Sequence, residues 1–251
     1  MSEPVEQPGT LAAETFGARL ALAERYARWL AEGGTERGLL GPRERPRLWS
    51  RHLLNCAVLT DLIPSGARVA DVGSGAGLPG MVVALRRPDL QVTLVEPLLR
   101  RSRFLSEVVA DLGLHESVEV VRARAEDLHG ARTFDVVTAR AVAPLERLAA
   151  WCLPLLVPHG ELLALKGGTA AEERAAAEPL LEQWGAERSE VLRLGTDPEP
   201  TWVVRVLRGE RAAQAPAKPQ RPGTARTRSA AEAAVRRGTR RRTTQSNRSG
   251  R

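Results

Sequence analysis

Cysteine is scarce in this chain and long apolar runs are missing. The two cysteines, Cys56 and Cys152, lie far apart and outside any C-x-x-C spacing. That excludes a disulfide framework, argues against a zinc site and fits a reducing compartment. The four histidines fall at no metal-ligand spacing, so no metal is expected. No apolar run approaches the roughly 20 residues of a membrane span. The opening MSEPVEQPGT is acidic and polar, unlike a secretory leader. A cytoplasmic protein with no membrane partner is expected.

Basic charge is present in excess, but not along the whole chain. The formal charge is +7 over 251 residues. Residues 209–251 carry 12 Lys/Arg and 2 Asp/Glu, which leaves 25 basic and 28 acidic residues in 1–208. The tail is also almost devoid of large apolar residues, so it cannot bury a core and is expected to be a disordered basic segment. Residues 230–237 are its one candidate for a transient helical turn.

The remainder divides by rhythm. Apolar residues at helical spacing predict helices over 10–32, stopped by Gly33 and Gly34, and over 44–62, with Pro64 just beyond. These make a helical extension over 1–64. From 65 to 208 short apolar runs at 67–73, 91–97, 117–123, 133–140 and 160–167 alternate with helical stretches at 78–87, 100–113, part of 124–130 and 144–157. Such alternation implies parallel βαβ units and an α/β, doubly wound, Rossmann-like sheet. A further helix is expected at 169–185. Runs at 191–194 and 202–207 flank the turn-like GTDPEP and read as an antiparallel pair at the sheet's edge.

The first strand runs into VADVGSGAGLPG, residues 69–80. Gly75, Gly77 and Gly80 match the G-x-G-x-x-G order of a dinucleotide site. Asp71, Gly73, Gly75 and Gly77 match the D-x-G-x-G-x-G order of a methyl-donor site. Either loop lets a ligand approach the backbone at the carboxyl ends of the strands. Charge separates them. A pyrophosphate wants a bare helix N-terminus and gains nothing from Asp71, whereas a sulfonium and an ammonium are attracted by it. A plain turn-capping role for Asp71 is the alternative. Pro79 and Gly80 suit the start and close packing of the next helix. Glu96, about 20 residues on, suits ribose hydroxyls under either reading. Glu126 in RAEDL is either an adenine neighbour or an ordinary helix-start acid.

The motifs DVGSGAGLPG, RRSRFLSEV, RARAEDL, FDVVTARAVAPLERL and LLALKG, with RHLLNCAVL upstream, resemble the RsmG (GidB) family over roughly residues 15–208. The resemblance implies a class I methyltransferase fold that uses S-adenosylmethionine to methylate N7 of a guanine in 16S ribosomal RNA. It implies donor contacts from Gly73 and Leu78, adenine contacts from Ala125 and Glu126, and Arg140 beside the transferred methyl group. Glu96 stands where many members carry Asp, and Ala125 where Val is commoner. The resemblance also raises the expectation that His52 and Asn55 face the donor cleft.

N7 of guanine carries a lone pair and no proton, so no general base is expected. Arg140, at a strand end, can hold the donor or pin the guanine. Lys166 at a strand end, and Arg100, Arg101 and Arg103 at the start of a helix, are candidates for RNA phosphate or else solvated charges. His115, His129 and His159 read as surface residues. A monomer acting on 16S ribosomal RNA or the small ribosomal subunit is expected. The competing readings are a methyltransferase for a small molecule or protein, a NAD-linked oxidoreductase and a non-catalytic RNA binder. The tail suits phosphate attraction that ignores sequence and weakens with salt. Truncation after Gly209 is expected to lower RNA affinity most at low salt and to leave donor binding unchanged. Equal RNA affinity with and without the tail would remove that role.

Overall fold

The computed structural model describes residues 4–34, 36–195 and 200–210. The expected basic tail, with its helical turn at 230–237, therefore lies outside the described residues from 211 onward. The strands are β1 Arg68–Val72, β2 Gln91–Val95, β3 Val118–Val121, β4 Phe134–Arg140, β5 Leu156–Lys166, β6 Ala186–Leu194 and β7 Thr201–Arg208. They form one sheet in the order β3-β2-β1-β4-β5-β7-β6. The pairs among β1 to β5 are parallel, while β7 runs antiparallel to both β5 and β6. The expected antiparallel pair thus ends the sheet, with β7 as its inner member.

The inner parallel strands are mostly apolar runs because helices cover both faces of the sheet, while β3 at the edge buries only Val118 fully. The helices are α1 Thr10–Phe16, α2 Leu20–Trp29, α3 Asn55–Ala57, α4 Gly80–Arg86, α5 Leu99–Leu112, α6 Leu145–Cys152 and α7 Ala170–Gln183. On one face Val69, Val92 and Leu94 pack with Met81 and Phe104, and with Tyr26, Leu30 and Leu48 of the N-terminal segment. On the other, Ala70, Val95 and Val137 pack with Leu145, Leu148 and Leu181. The N-terminal helices share the sheet's core. They are fastened to α5 by an edge-to-face contact of Trp29 with Phe104 and by a 2.9 Å bond from the Trp29 indole to Asp111.

Both N-terminal helices are more broken than their periodicity predicts. Gly17, at φ 50°, interrupts the first with a 3-10 turn, and a π turn Leu30–Gly34 ends it. The second becomes a 3-10 turn Pro42–Arg47, a π turn Leu48–Leu54, α3 and a 3-10 turn Val58–Leu62. Pro46 lies inside it and has no N–H to donate. The Glu6 carboxylate accepts instead from the backbone N–H of Trp49 and Ser50, at 2.7 and 3.0 Å. The helix expected over 144–157 ends at Cys152, where a Pro154-containing turn leads into a β5 longer than expected.

Strand order reverses beside β1, which has β2 on one side and β4 on the other. Crevices form at the carboxyl ends of the strands at such a switch. The loop there depends on close packing at Gly80. A Cβ on Gly80 would stand 2.4 Å from Leu94 Cδ2 and 2.7 Å from Asp71 Cβ. Gly80→Ala is expected to destabilise the fold by about 1–3 kcal/mol, through the strain of an overfilled site. Urea unfolding measures this, and an unchanged midpoint would contradict the packing described.

Candidate active site

Two adjoining cavities open at the carboxyl ends of the strands, of about 680 and 940 Å³. The first lies among the glycine loop after β1, the end of β2 and the turn after β3. The second lies among the loop after β4, the end of β5 and the start of β7. Arg140, Ala141 and Val142 border both. Ala141 adopts φ 53°, a conformation rare outside glycine and found where a site constrains the backbone.

The glycine loop is tied down from three directions. Asp71 is fully buried and accepts from the Gly80 N–H and from Thr138 Oγ1, both at 3.0 Å. Glu96, 1% exposed, accepts from the Gly75 N–H at 3.0 Å and from the Leu98 N–H at 3.0 Å. Tyr26, the only tyrosine of the chain, donates its hydroxyl to the Ala76 carbonyl at 2.9 Å. A Cβ on Gly77, at φ 101°, would stand 2.6 Å from Met81 Cγ and 2.9 Å from the Tyr26 hydroxyl. Burial pushes the Asp71 carboxyl up to about 6, against the pull of its hydrogen bonds from Gly80 and Thr138.

Arg140 is held by the N-terminal segment. Its Nη2 donates to His52 Nδ1 at 2.7 Å and to the Arg51 carbonyl at 3.4 Å, and its Nη1 to Cys56 Sγ at 3.1 Å. His52 Nε2 in turn meets Glu44 Oε2 at 2.9 Å. Burial, with the Arg140 charge beside it, lowers His52 to about 4. The imidazole is therefore neutral near pH 7, accepting at Nδ1 and donating at Nε2. Arg140 has no partner for its Nε–H and one Nη1–H among the described residues, at the boundary of the cavities.

The first cavity brings together Gly73, Gly75, Leu78, Glu96, Ala125, Glu126 and Arg140, all expected on sequence grounds. It adds Arg101, whose Nη1 stands 3.8 Å from Glu96 Oε2. Three other expected residues stand outside the first cavity. Asp71 does not border the cavity. Its carboxylate accepts from Gly80 and Thr138 and so supports the loop from beneath. Lys166 borders the second cavity, tied at 2.6 Å to Glu173 and at 2.9 Å to the Ala143 carbonyl. Arg100 is exposed on α5, outside both cavities. His129, expected at the surface, is half-buried against the Trp151 carbonyl at 2.9 Å.

Sequence reasoning missed Glu44, Cys56, Tyr26, Thr138 and Trp151. Tyr26 had one usable signal, its singularity in the chain. Thr138 had another, a polar residue inside an apolar strand. Glu44 had none, because it acts through His52, eight residues on in an irregular segment.

The family model GidB, described as rRNA small subunit methyltransferase G, matches residues 19–200. A Ribosomal RNA small subunit methyltransferase G of Nocardioides sp. is 62% identical over 191 residues, 75% of this chain and 76% of that protein. Its counterpart in Streptomyces coelicolor is 56% identical over 239 residues, 91% of this chain and 99% of that protein. Among solved structures, the S-adenosylmethionine-dependent methyltransferase SibL in its apo form resembles the chain with a TM-score of 0.55 at 19% identity. That match covers 80% of this chain and 70% of SibL. At that identity it speaks for the fold alone.

The Asp71 shift fixes the sign of a pH effect. Its native pKa, about 6, lies above the ordinary 3.8. Between those values the folded chain holds a proton that the unfolded chain has released. Stability from this group is complete below about pH 4 and lost as pH rises through about 6. The urea midpoint of the wild type, less that of Asp71→Asn, is expected to fall from pH 4 to about pH 7. A difference independent of pH would contradict the buried, ionisable carboxyl.

Proposed function

The chain belongs to the GidB family of small-subunit ribosomal RNA methyltransferases, and on that premise we propose that it methylates N7 of a guanine in 16S ribosomal RNA, with S-adenosylmethionine held in the first cavity. One observation carries the choice of cofactor. The Gly80 N–H, at the start of α4, already donates to the buried Asp71 carboxylate. A dinucleotide's pyrophosphate needs that bare terminus and would meet a negative charge beside it. The nicotinamide reading loses its anion site for that reason.

The residues at the first cavity fit a cationic nucleoside donor. Each Glu96 oxygen accepts one backbone N–H and retains lone-pair capacity for ribose hydroxyls. Ala125 and Glu126, in the 3-10 turn after β3, suit the two edges of an adenine, with Leu78 and Val95 as apolar walls. A volume of about 680 Å³ lies within the usual range of ligand sites. When bound, the donor supplies an electrophilic methyl group on a sulfonium.

The rest is done by this chain's own groups. N7 of guanine attacks with its in-plane lone pair, so no side chain has to remove a proton. His52 suits that demand, being neutral and committed to Arg140 and Glu44. Arg140 holds two N–H donors at the junction of the cavities, where they orient donor against acceptor. Orientation and the exclusion of water supply the rate. Residues 209–251, by their charge excess, add affinity for RNA without choosing the base.

Calorimetric titration is expected to show saturable binding of S-adenosylmethionine and none of NAD. Arg140→Ala is expected to lower methyl transfer to unmodified small subunits by about 100-fold, the scale of one lost site donor. Binding of NAD in place of the methyl donor, or transfer by Arg140→Ala at the wild-type rate, would contradict the reading.

A further inference from the structure

We propose that the second cavity is a receptacle for a single purine base turned out of the RNA, with Trp202 as its stacking wall and Asn55 as its reading group. The inference rests on the methyltransferase reading above and names how the acceptor is held.

Four observations carry it. The second cavity meets the first at Arg140, Ala141 and Val142, so a ring seated there presents an edge toward the donor side. Of its charged lining residues, Lys166 is paired at 2.6 Å with Glu173 and Arg51 stands 3.6 Å from Glu44, while Arg140 presents N–H donors that the acceptor edge of a heterocycle can meet. Trp202, at the start of β7, is half-buried and is the one aromatic residue among the described residues that border the cavity. An indole gives a base about 1–3 kcal/mol of stacking without regard to sequence.

Asn55 supplies the fourth observation. Its backbone carbonyl accepts from Thr201 at 3.3 Å, but its carboxamide has no hydrogen-bond partner among the described residues. It sits half-buried at the cavity. A carboxamide offers a donor beside an acceptor, the complement of a purine's O6 and N1–H edge. At the rim, Gly167 and Gly168 have open space where a Cβ would stand, which leaves room for a sugar–phosphate chain. A base stacked inside a helix cannot present its face to Trp202, so the acceptor nucleotide is extruded or already unpaired.

Trp202→Leu keeps bulk without an aromatic face, Trp202→Phe keeps a face, and Asn55→Ala removes the reading group. The measurements are methyl transfer to unmodified small ribosomal subunits, subunit binding without donor, and binding of S-adenosylmethionine alone. Trp202→Leu and Asn55→Ala are expected to raise KM for the subunit about tenfold and to leave donor affinity unchanged. Trp202→Phe is expected to recover most of the loss caused by Trp202→Leu. Unchanged KM and subunit affinity in Trp202→Leu would overturn the pocket, and so would equal losses in the leucine and phenylalanine variants, which mark packing instead of stacking. Should the wild type bind donor and transfer nothing, the methyltransferase reading fails. The binding arm then still decides the pocket, equal subunit affinity of wild type and Trp202→Leu overturning it.

Discussion

A buried carboxylate sets the geometry on which the rest of the site depends. Asp71 joins three elements at once: it belongs to β1, accepts from the first residue of α4 and accepts from Thr138 of β4. Burying an ionisable group costs free energy, and here hydrogen bonds from Gly80 and Thr138 offset it. The consequence reaches the ligand without any contact. The loop between β1 and α4 is held open toward the first cavity, with Gly75 fixed by Glu96 and Ala76 by Tyr26. The same carboxylate occupies the helix start that a phosphate would need.

Arg140 is the second fixed point, and it binds the N-terminal segment to the chemistry. A guanidinium between two cavities has many rotamers available and little reason to choose one. The chain from Glu44 through His52 removes that freedom. The irregular Pro42–Leu62 stretch is therefore more than a cover for the sheet. Its π turn carries Arg51 and His52, and α3 carries Asn55 and Cys56, so one short segment both orients the arginine and borders the second cavity.

Much of this was legible in the sequence, for physical reasons that differ by element. The parallel strands were plain because burial on both faces demands continuous apolar runs, as in VADV and QVTLV. The first cavity was largely legible because strand ends and glycine turns carry its residues, and Gly73, Gly75, Leu78, Glu96, Ala125, Glu126 and Arg140 all border it. The broken N-terminal helices were not, since periodicity describes which side is apolar and says nothing of π or 3-10 winding. The bonds of Asp71 to Gly80 and Thr138 were not legible, because a carboxylate's position in sequence does not reveal which donors it faces. Lys166 was ambiguous until Glu173, a turn into α7, supplied its partner.

The account's central claim is that the loop held by Asp71 cradles a sulfonium nucleoside in the first cavity, with Glu96 on its ribose. A crystal structure with S-adenosylhomocysteine tests it most directly. The ribose is predicted against Glu96 and the adenine between Ala125 and Glu126, with Asp71 still bonded to Gly80. A ligand seated elsewhere, or a loop that releases Gly80 to bind it, would contradict the account.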